Sequence, residues 1–225
     1  MQKFKNRTEA GKLLAEQLAK YRDEHPLILA LPRGGVPVGF EVAKFFHTML
    51  DTVVARKIGM PENPELGVGA IAPGDVIVFD EGAMKFLGYR KKDFEKVARE
   101  EMEEMDRRIV RYQSGEYSMN IVPKTVIVVD DGIATGVTAR AAVASVKITQ
   151  NPEKIIFATP VCARESADVV RGAVDEFVCL HEVEHLMSVG EWYDDFPQTT
   201  DDDVIALLET SKERFCLEED ERREE

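Results

Sequence analysis

Cysteine is scarce in this 225-residue chain: Cys162, Cys179 and Cys216 are the three present, an odd number with no Cys-x-x-Cys pair. A disulfide framework is therefore excluded, and buried free thiols are expected. Long apolar runs are also lacking, since no stretch reaches the roughly 18 residues that a membrane-spanning helix needs. Positive charge is in deficit, with 29 Lys plus Arg against 42 Asp plus Glu and a formal net charge of −13. The resulting field repels nucleic acid and anionic lipid, so neither is an expected partner. A small anionic ligand is not excluded, because a pocket needs only its own donors. The opening MQKFKNRTEAGKLL turns amphipathic and lacks the apolar stretch of about 7 to 15 residues found in a secretory leader, so a cytoplasmic protein is expected. Walker A and GxGxxG patterns are absent as well.

What is present is a hydrophobic fraction of 44%, enough to fill one core. At roughly 100 to 200 residues per domain, the length suits a single domain with a sizeable insertion. Residues 8–21 carry a helical stripe of Leu13, Leu14, Ala15, Leu18 and Tyr21, with Thr8 as the expected N-cap. The continuous apolar run 27–31 reads as a buried strand that breaks at Pro32-Arg33-Gly34-Gly35; a helix over 38–46 follows, then a second strand over 51–58 ending in Arg56 and Lys57. Strands at 124–130, 155–161 and 175–180 alternate with helices at 138–147 and 163–171. This rhythm predicts an α/β fold of three layers, a mostly parallel sheet between helices, with ligands at the carboxyl ends of the strands.

The interval 59–122 interrupts the rhythm. It begins rich in Pro and Gly, holds a short strand-like run at 75–80, and continues as a charged helix over 91–112 with Phe94, Ala98, Met102, Met105 and Ile109 in a narrow stripe. It reads as an inserted subdomain, either a hood over a site or a dimerisation or packing arm. Thr200 or Asp201 is expected to cap a helix over 204–210, and 212–225 to form an acidic tail whose last eight residues are frayed.

The segment VIVVDDGIATGVTAR, 126–140, concentrates the chemistry. A hydrophobic strand ends in two adjacent carboxylates, and a glycine- and threonine-containing loop leads into a helix. Such a loop turns backbone N–H groups and hydroxyls toward a phosphate, with the helix dipole behind them. The carboxylates stand where vicinal sugar hydroxyls could be held. VVDDGIATGVT resembles the phosphoribosyl pyrophosphate motif of type I phosphoribosyltransferases. LALPRGGVPVGFEVA resembles that family's pyrophosphate loop, VARKIGMPENPELGVGA its second strand end and flexible segment, and VGEWYDDFPQ its late base-holding loop. Similarity along the whole chain is nearest to members whose base substrate is unassigned.

The resemblance implies a transferase that joins phosphoribosyl pyrophosphate to a purine or pyrimidine base with Mg2+ as cofactor, forming a nucleoside monophosphate and pyrophosphate. It implies that Asp130 and Asp131 hold the ribose hydroxyls directly or through metal, with Asp195 as a further metal-side carboxylate. Ala134, Thr135, Gly136, Val137 and Thr138 would wrap the 5-phosphate; Arg33, Gly34 and Gly35 would receive the pyrophosphate, and Arg56 and Lys57 would neutralise it. Trp192, Tyr193 and Asp194 would face the base. The pattern departs at Ala134, where 6-oxopurine members usually carry an aspartate and adenine- and uracil-type members share the alanine. A homodimer is left open.

Several of these residues also have a plainer explanation, and Arg33-Gly34-Gly35 can be an ordinary strand-to-helix turn. The carboxylates can cap a helix, Arg56 and Lys57 can be surface cations at a strand end, and Trp192 and Tyr193 can be core aromatics. A non-catalytic regulator binding the same ligand would be expected to have lost its pyrophosphate cations, which are all here. His181-Glu182-Val183-Glu184-His185 spells the zinc hydrolase pattern HExxH, but that pattern works only on a helix and here follows a β-branched run.

Overall fold

The computed structural model describes residues 2–60, 62–112 and 123–224. Asn6, with extended backbone, opens α1 (Arg7–Gln17), its Oδ1 accepting from Glu9 N at 2.9 Å. The cap therefore lies two residues before Thr8. A 3-10 turn over Ala19–Glu24 follows, then β1 (Leu27–Ala30), α2 (Gly35–Phe46), β2 (Leu50–Thr52) and β3 (Arg56–Met60). The chain continues through β4 (Asn63–Ala72), β5 (Val76–Phe79), α3 (Glu81–Leu87), α4 (Glu95–Tyr112), β6 (Thr125–Val129), α5 (Val137–Thr149), β7 (Lys154–Ala163), α6 (Arg164–Arg171) and β8 (Glu176–Val183). A 3-10 turn at Val189–Trp192 precedes α7 (Asp201–Glu224).

Five strands form the central sheet in the order β2-β1-β6-β7-β8, every pair parallel. Alternation divides the buried strand residues between two faces. Ile28, Ala30, Ile127, Val129, Ile156 and Ala158 pack with Leu14 and Leu18 of the first helical segment, Val38 and Val42 of α2, and Val204 of α7. Leu27, Leu29, Val126, Val128, Ile155 and Phe157 pack with Ala139, Ala142 and Val146 of α5 and Ala167 and Val170 of α6. This is the expected three-layer α/β architecture.

The run 51–58 is not one strand of this sheet. β2 pairs with β1 at the edge, whereas β3 leaves it and joins a separate antiparallel sheet, β3-β4-β5. Arg56 and Lys57 therefore belong to the smaller sheet. The expected strand at 75–80 is β5, and the expected helix at 91–112 is a short 3-10 turn, Lys91–Phe94, followed by α4. Its stripe joins the main core through Phe94, Ala98 and Met105, beside Ile58, Val68 and Ile71. The later part of the interval, 113–122, lies outside the described residues.

α7 runs on through the segment expected to be a tail, and Thr200 caps it: its Oγ1 accepts from Asp203 N at 3.1 Å while Asp203 Oδ2 accepts from Thr200 N at 2.8 Å. Cys162 is buried and Cys179 half-buried, but Cys216 is exposed on α7. No described helix is long and apolar enough to cross a membrane.

Candidate active site

β1 and β6 are adjacent, yet the helices after them lie on opposite faces, α2 on one and α5 on the other. Their carboxyl ends flank a topological switch point, the place where open α/β sheets form a crevice. Leu31 N donates to Val129 O at 2.8 Å, extending the pairing one residue beyond β1 before the chain turns at Pro32, whose peptide bond to Arg33 is cis. The two loops interlock. A Cβ built on Gly34 would lie 2.0 Å from Asp131 Oδ2, so any side chain there would displace the Asp131 carboxylate.

The second loop ends at Gly136, the N-cap of α5, with φ of +75°, a conformation that L side chains rarely adopt. No side chain caps this helix, and its first backbone bond runs from Arg140 N to Gly136 O at 3.0 Å. The N–H groups of Gly136, Val137, Thr138 and Ala139 are thus those an α-helix leaves without intrahelical partners. Ala134 and Thr135 are exposed and Thr138 half-buried beside them. Ser166 Oγ donates to Ala134 O at 2.6 Å, fixing the loop from α6. An open helix start with a braced approach loop can cradle a phosphate.

Asp130 and Asp131 lie between the loops. Asp130 Oδ1 accepts from Asp131 N at 2.9 Å. Burial, then the charge of Asp131, raises the Asp130 pKa well above the ordinary carboxylate range. Burial also raises that of Asp131, against the opposing pull of Arg7. Arg7 is a participant that sequence reasoning missed. Its Nε donates to Asp131 Oδ2 at 2.8 Å, its Nη1 donates to Pro197 O at 2.7 Å, and its guanidinium lies 3.7 Å from the Phe196 ring centroid. No signal along the chain relates an arginine in the first helix to a carboxylate 124 positions later.

The late segment meets the site differently from the expectation. Tyr193 is buried, its ring packs on Phe4 and Phe196, and its hydroxyl donates to Asp131 O at 2.6 Å. Burial pushes that phenol up. Trp192 is half-buried beside His181, at 5.7 Å between ring centroids. Asp194 and Asp195 have exposed side chains, while their N–H groups donate to Phe4 O at 2.8 Å and Lys5 O at 2.9 Å. This segment braces Asp131 from behind.

Arg33 turns toward Asp201 at the start of α7, with Nη1 and Oδ1 3.6 Å apart. Arg56 is paired with Glu101 of α4, Nη2 to Oε2 at 2.6 Å. Lys57 lies across Gly67 of β4, whose built Cβ would come within 2.7 Å of its side chain. The structure thus brings together Gly34, Gly35, Asp130 and Asp131, with Arg33 and the 134–138 loop adjoining them in the chain, whereas Arg56 and Lys57 lie on the smaller sheet, against Glu101 and Gly67 respectively.

Among the described residues no three Asp, Glu, His or Cys side chains gather as a metal set, so Asp195 does not complete one with Asp130 and Asp131. Two adjacent carboxylates still suit Mg2+, which keeps several waters and is commonly held by one or two carboxylates together with substrate phosphates. His181, Glu182 and Val183 of the HExxH pattern lie in β8, where residues four apart do not share the helical face that zinc chemistry needs.

Comparison with known proteins accords with this geometry. A family model described as "Phosphoribosyl transferase domain" matches residues 4–187. Two curated Mycobacterium tuberculosis proteins, from strains CDC 1551 / Oshkosh and ATCC 25618 / H37Rv, each carry the name "Putative phosphoribosyl transferase". Each is 37% identical over 216 residues, 96% of this chain and 48% of its own length. The chain therefore spans about half the length of the curated relatives it matches. The crystal structure of TT1426 from Thermus thermophilus is 36% identical, with a TM-score of 0.74 and coverage of 92% of this chain and 98% of that one.

Proposed function

The chain belongs to the phosphoribosyl transferase family, and we propose that it transfers the phosphoribosyl group of phosphoribosyl pyrophosphate to a nitrogenous purine or pyrimidine base, releasing pyrophosphate. One observation carries this reading: two glycine loops at a switch point close on a pair of half-buried carboxylates, Gly34 against Asp131, with an uncapped helix start beside them. That arrangement offers a place for each part of the donor.

The N–H groups at the start of α5, with the Thr135 and Thr138 hydroxyls, take the 5-phosphate. Asp130 and Asp131 accept from the ribose hydroxyls, and Arg33 with the Gly34-Gly35 backbone takes the pyrophosphate. During transfer the bond from C1 to the pyrophosphate oxygen breaks, an acceptor nitrogen forms the new bond at C1, and that nitrogen sheds its proton. Positive charge grows on the ribose and negative charge on the leaving group, so the Arg33 guanidinium, once turned to the latter, lowers the barrier. Asp130 and Asp131 would hold a Mg2+ ion, which when bound neutralises part of the pyrophosphate charge. The small sheet with α3 and α4 serves as a hood that excludes water from the reacting centre.

A second reading, a regulator that binds the donor without consuming it, gains from one feature. Tyr193 and Phe196, in the segment expected to hold the base, are spent on packing and on Arg7. Calorimetric titration with phosphoribosyl pyrophosphate and Mg2+, followed by a nucleobase screen for pyrophosphate release, separates the two. Binding with turnover of at least one base is the expected result. Binding without turnover of any base favours the regulator, and no binding overturns both.

A further inference from the structure

Asp201 is the first residue of α7, but it does not cap that helix; Thr200 and Asp203 do so through their reciprocal hydrogen bonds. Its carboxylate turns back instead. Tyr112 Oη donates to Asp201 Oδ1 at 2.7 Å, Arg111 Nη1 lies 2.8 Å from Oδ2, and Arg107 Nη2 lies 3.9 Å from Oδ2. Arg33 completes the ring at 3.6 Å. The Asp201 side chain is 12% exposed, against 86% for neighbouring Asp202. Burial works against the Asp201 carboxylate, but the Tyr112 hydroxyl and the charges of Arg108, Arg111 and Arg33 outweigh it and hold its pKa below the ordinary value. Three guanidinium groups from two separate parts of the chain thus share one shielded anion.

We propose that Asp201 is a resident anion of the leaving-group subsite: it positions Arg33 while the subsite is empty, yields it to arriving pyrophosphate, and reclaims it to speed release. This rests on the reading of the Arg33 loop as the pyrophosphate receiver. The distances set the order of exchange. Arg111 and Tyr112 hold Asp201 at hydrogen-bond length, whereas Arg33 at 3.6 Å and Arg107 at 3.9 Å are held by charge; of these two, Arg107 is also bonded to Glu104, so Arg33 can be surrendered without breaking a hydrogen bond to Asp201. A phosphate offers that guanidinium a bidentate acceptor in place of a single distant oxygen. As a fixed negative charge beside an anion site, Asp201 also opposes retention of the product.

The proposal predicts the sign of a binding change. Asp201→Asn keeps the acceptor for Tyr112 and removes the charge, so Mg2+-pyrophosphate should bind about threefold to tenfold more tightly to the full chain at physiological salt. Ordinary structural damage would weaken binding. Asp202→Asn, on the same helix but solvent-exposed, should change the affinity by less than about twofold because solvent screens it. In an Arg33→Gln background the gain from Asp201→Asn should vanish, as a double-mutant cycle would detect. Asp201→Ser removes the same charge if the asparagine variant does not fold. Calorimetry supports the proposal if affinity rises in Asp201→Asn alone among the two acidic variants and the gain is lost without Arg33. It is overturned, with the loop assignment intact, if Arg33→Gln weakens binding while removing Asp201's charge leaves affinity unchanged or lower, or if Asp202→Asn has an equal effect. Parental affinity in Arg33→Gln overturns the loop assignment and this proposal with it.

Discussion

Arg7 Nε lies 2.8 Å from Asp131 Oδ2, a contact that joins the first helix to the carboxylate end of the central sheet. Both side chains are nearly closed to solvent, at 10% and 13% exposure, so the pair is not a surface ornament. Arg7 keeps an ionised carboxylate supportable in a place where burial favours the neutral acid.

Arg7→Gln should therefore weaken phosphoribosyl pyrophosphate binding about tenfold, in keeping with loss of one partner of a buried charge pair. The acid side of the binding-versus-pH curve should move to higher pH, because the Asp131 pKa rises further without the guanidinium. Titration from acid to neutral pH checks this; a curve superimposable on the parent's would refute the role given to Arg7.

Asp130→Asn should bind the donor poorly yet be more stable than the parent at neutral pH. Asp130 has a raised folded-state pKa, so its favourable contribution is present below the ordinary carboxylate range and is lost as pH climbs through the folded value. Asparagine keeps an acceptor for Asp131 N without the buried charge. A gain of about 0.5 to 2 kcal/mol is expected, or roughly 2–4 °C in Tm for each kcal/mol. In scanning calorimetry the advantage should shrink as pH falls; an advantage that grew toward acid would contradict the linkage.

Backbone shape should matter more than hydroxyl chemistry in the phosphate loop. Gly136 has a φ of +75°, and valine there should cost about 1–3 kcal/mol of strain as well as cradle geometry. Thr135→Ser keeps the exposed hydroxyl and should bind within about threefold of the parent, a change under about 1 kcal/mol. Gly34→Ala should abolish binding by displacing Asp131. Affinities measured alongside circular dichroism decide the ranking, and a folded Gly136→Val protein with parental affinity would remove the cradle from the mechanism.

His185→Ala should leave donor binding and turnover unchanged, since His181 and its neighbours lie on a strand. Elemental analysis after chelator dialysis supplies the complementary test. Stoichiometric zinc lost together with activity would reverse the conclusion.

The parts of this molecule legible in the sequence are those with local signatures. β6 is a β-branched run buried on both sides, and the loop from Asp130 to Thr138 carries its glycines and threonines in order. The resemblance drawn from those residues leads to the family that the comparisons identify. The run through Arg56 is harder. Its apolar start and cationic end read as one strand, but Val53, Val54 and Ala55 carry the chain from one sheet to another, a choice made by packing and not by periodicity. α7 outruns its expected end because its long polar stretch has no breaker; without proline or glycine after Val204, nothing local stops the helix. Arg7, Tyr193 and Asp201 are hidden for another reason. Each acts on a partner far along the chain.

That distance has a consequence for how the protein comes into being. Arg7 must find Pro197 O, 190 positions away, and Arg33 meets its carboxylate only at Asp201. A ribosome releasing the chain in order exposes both glycine loops well before those late residues emerge. A nascent chain halted after β8 would hold every phosphate-facing group yet lack both the brace of Arg7 against Pro197 and the Asp201 charge that competes for Arg33, so the firm hold on Asp131 and the ready release of product should be acquired together at the close of synthesis.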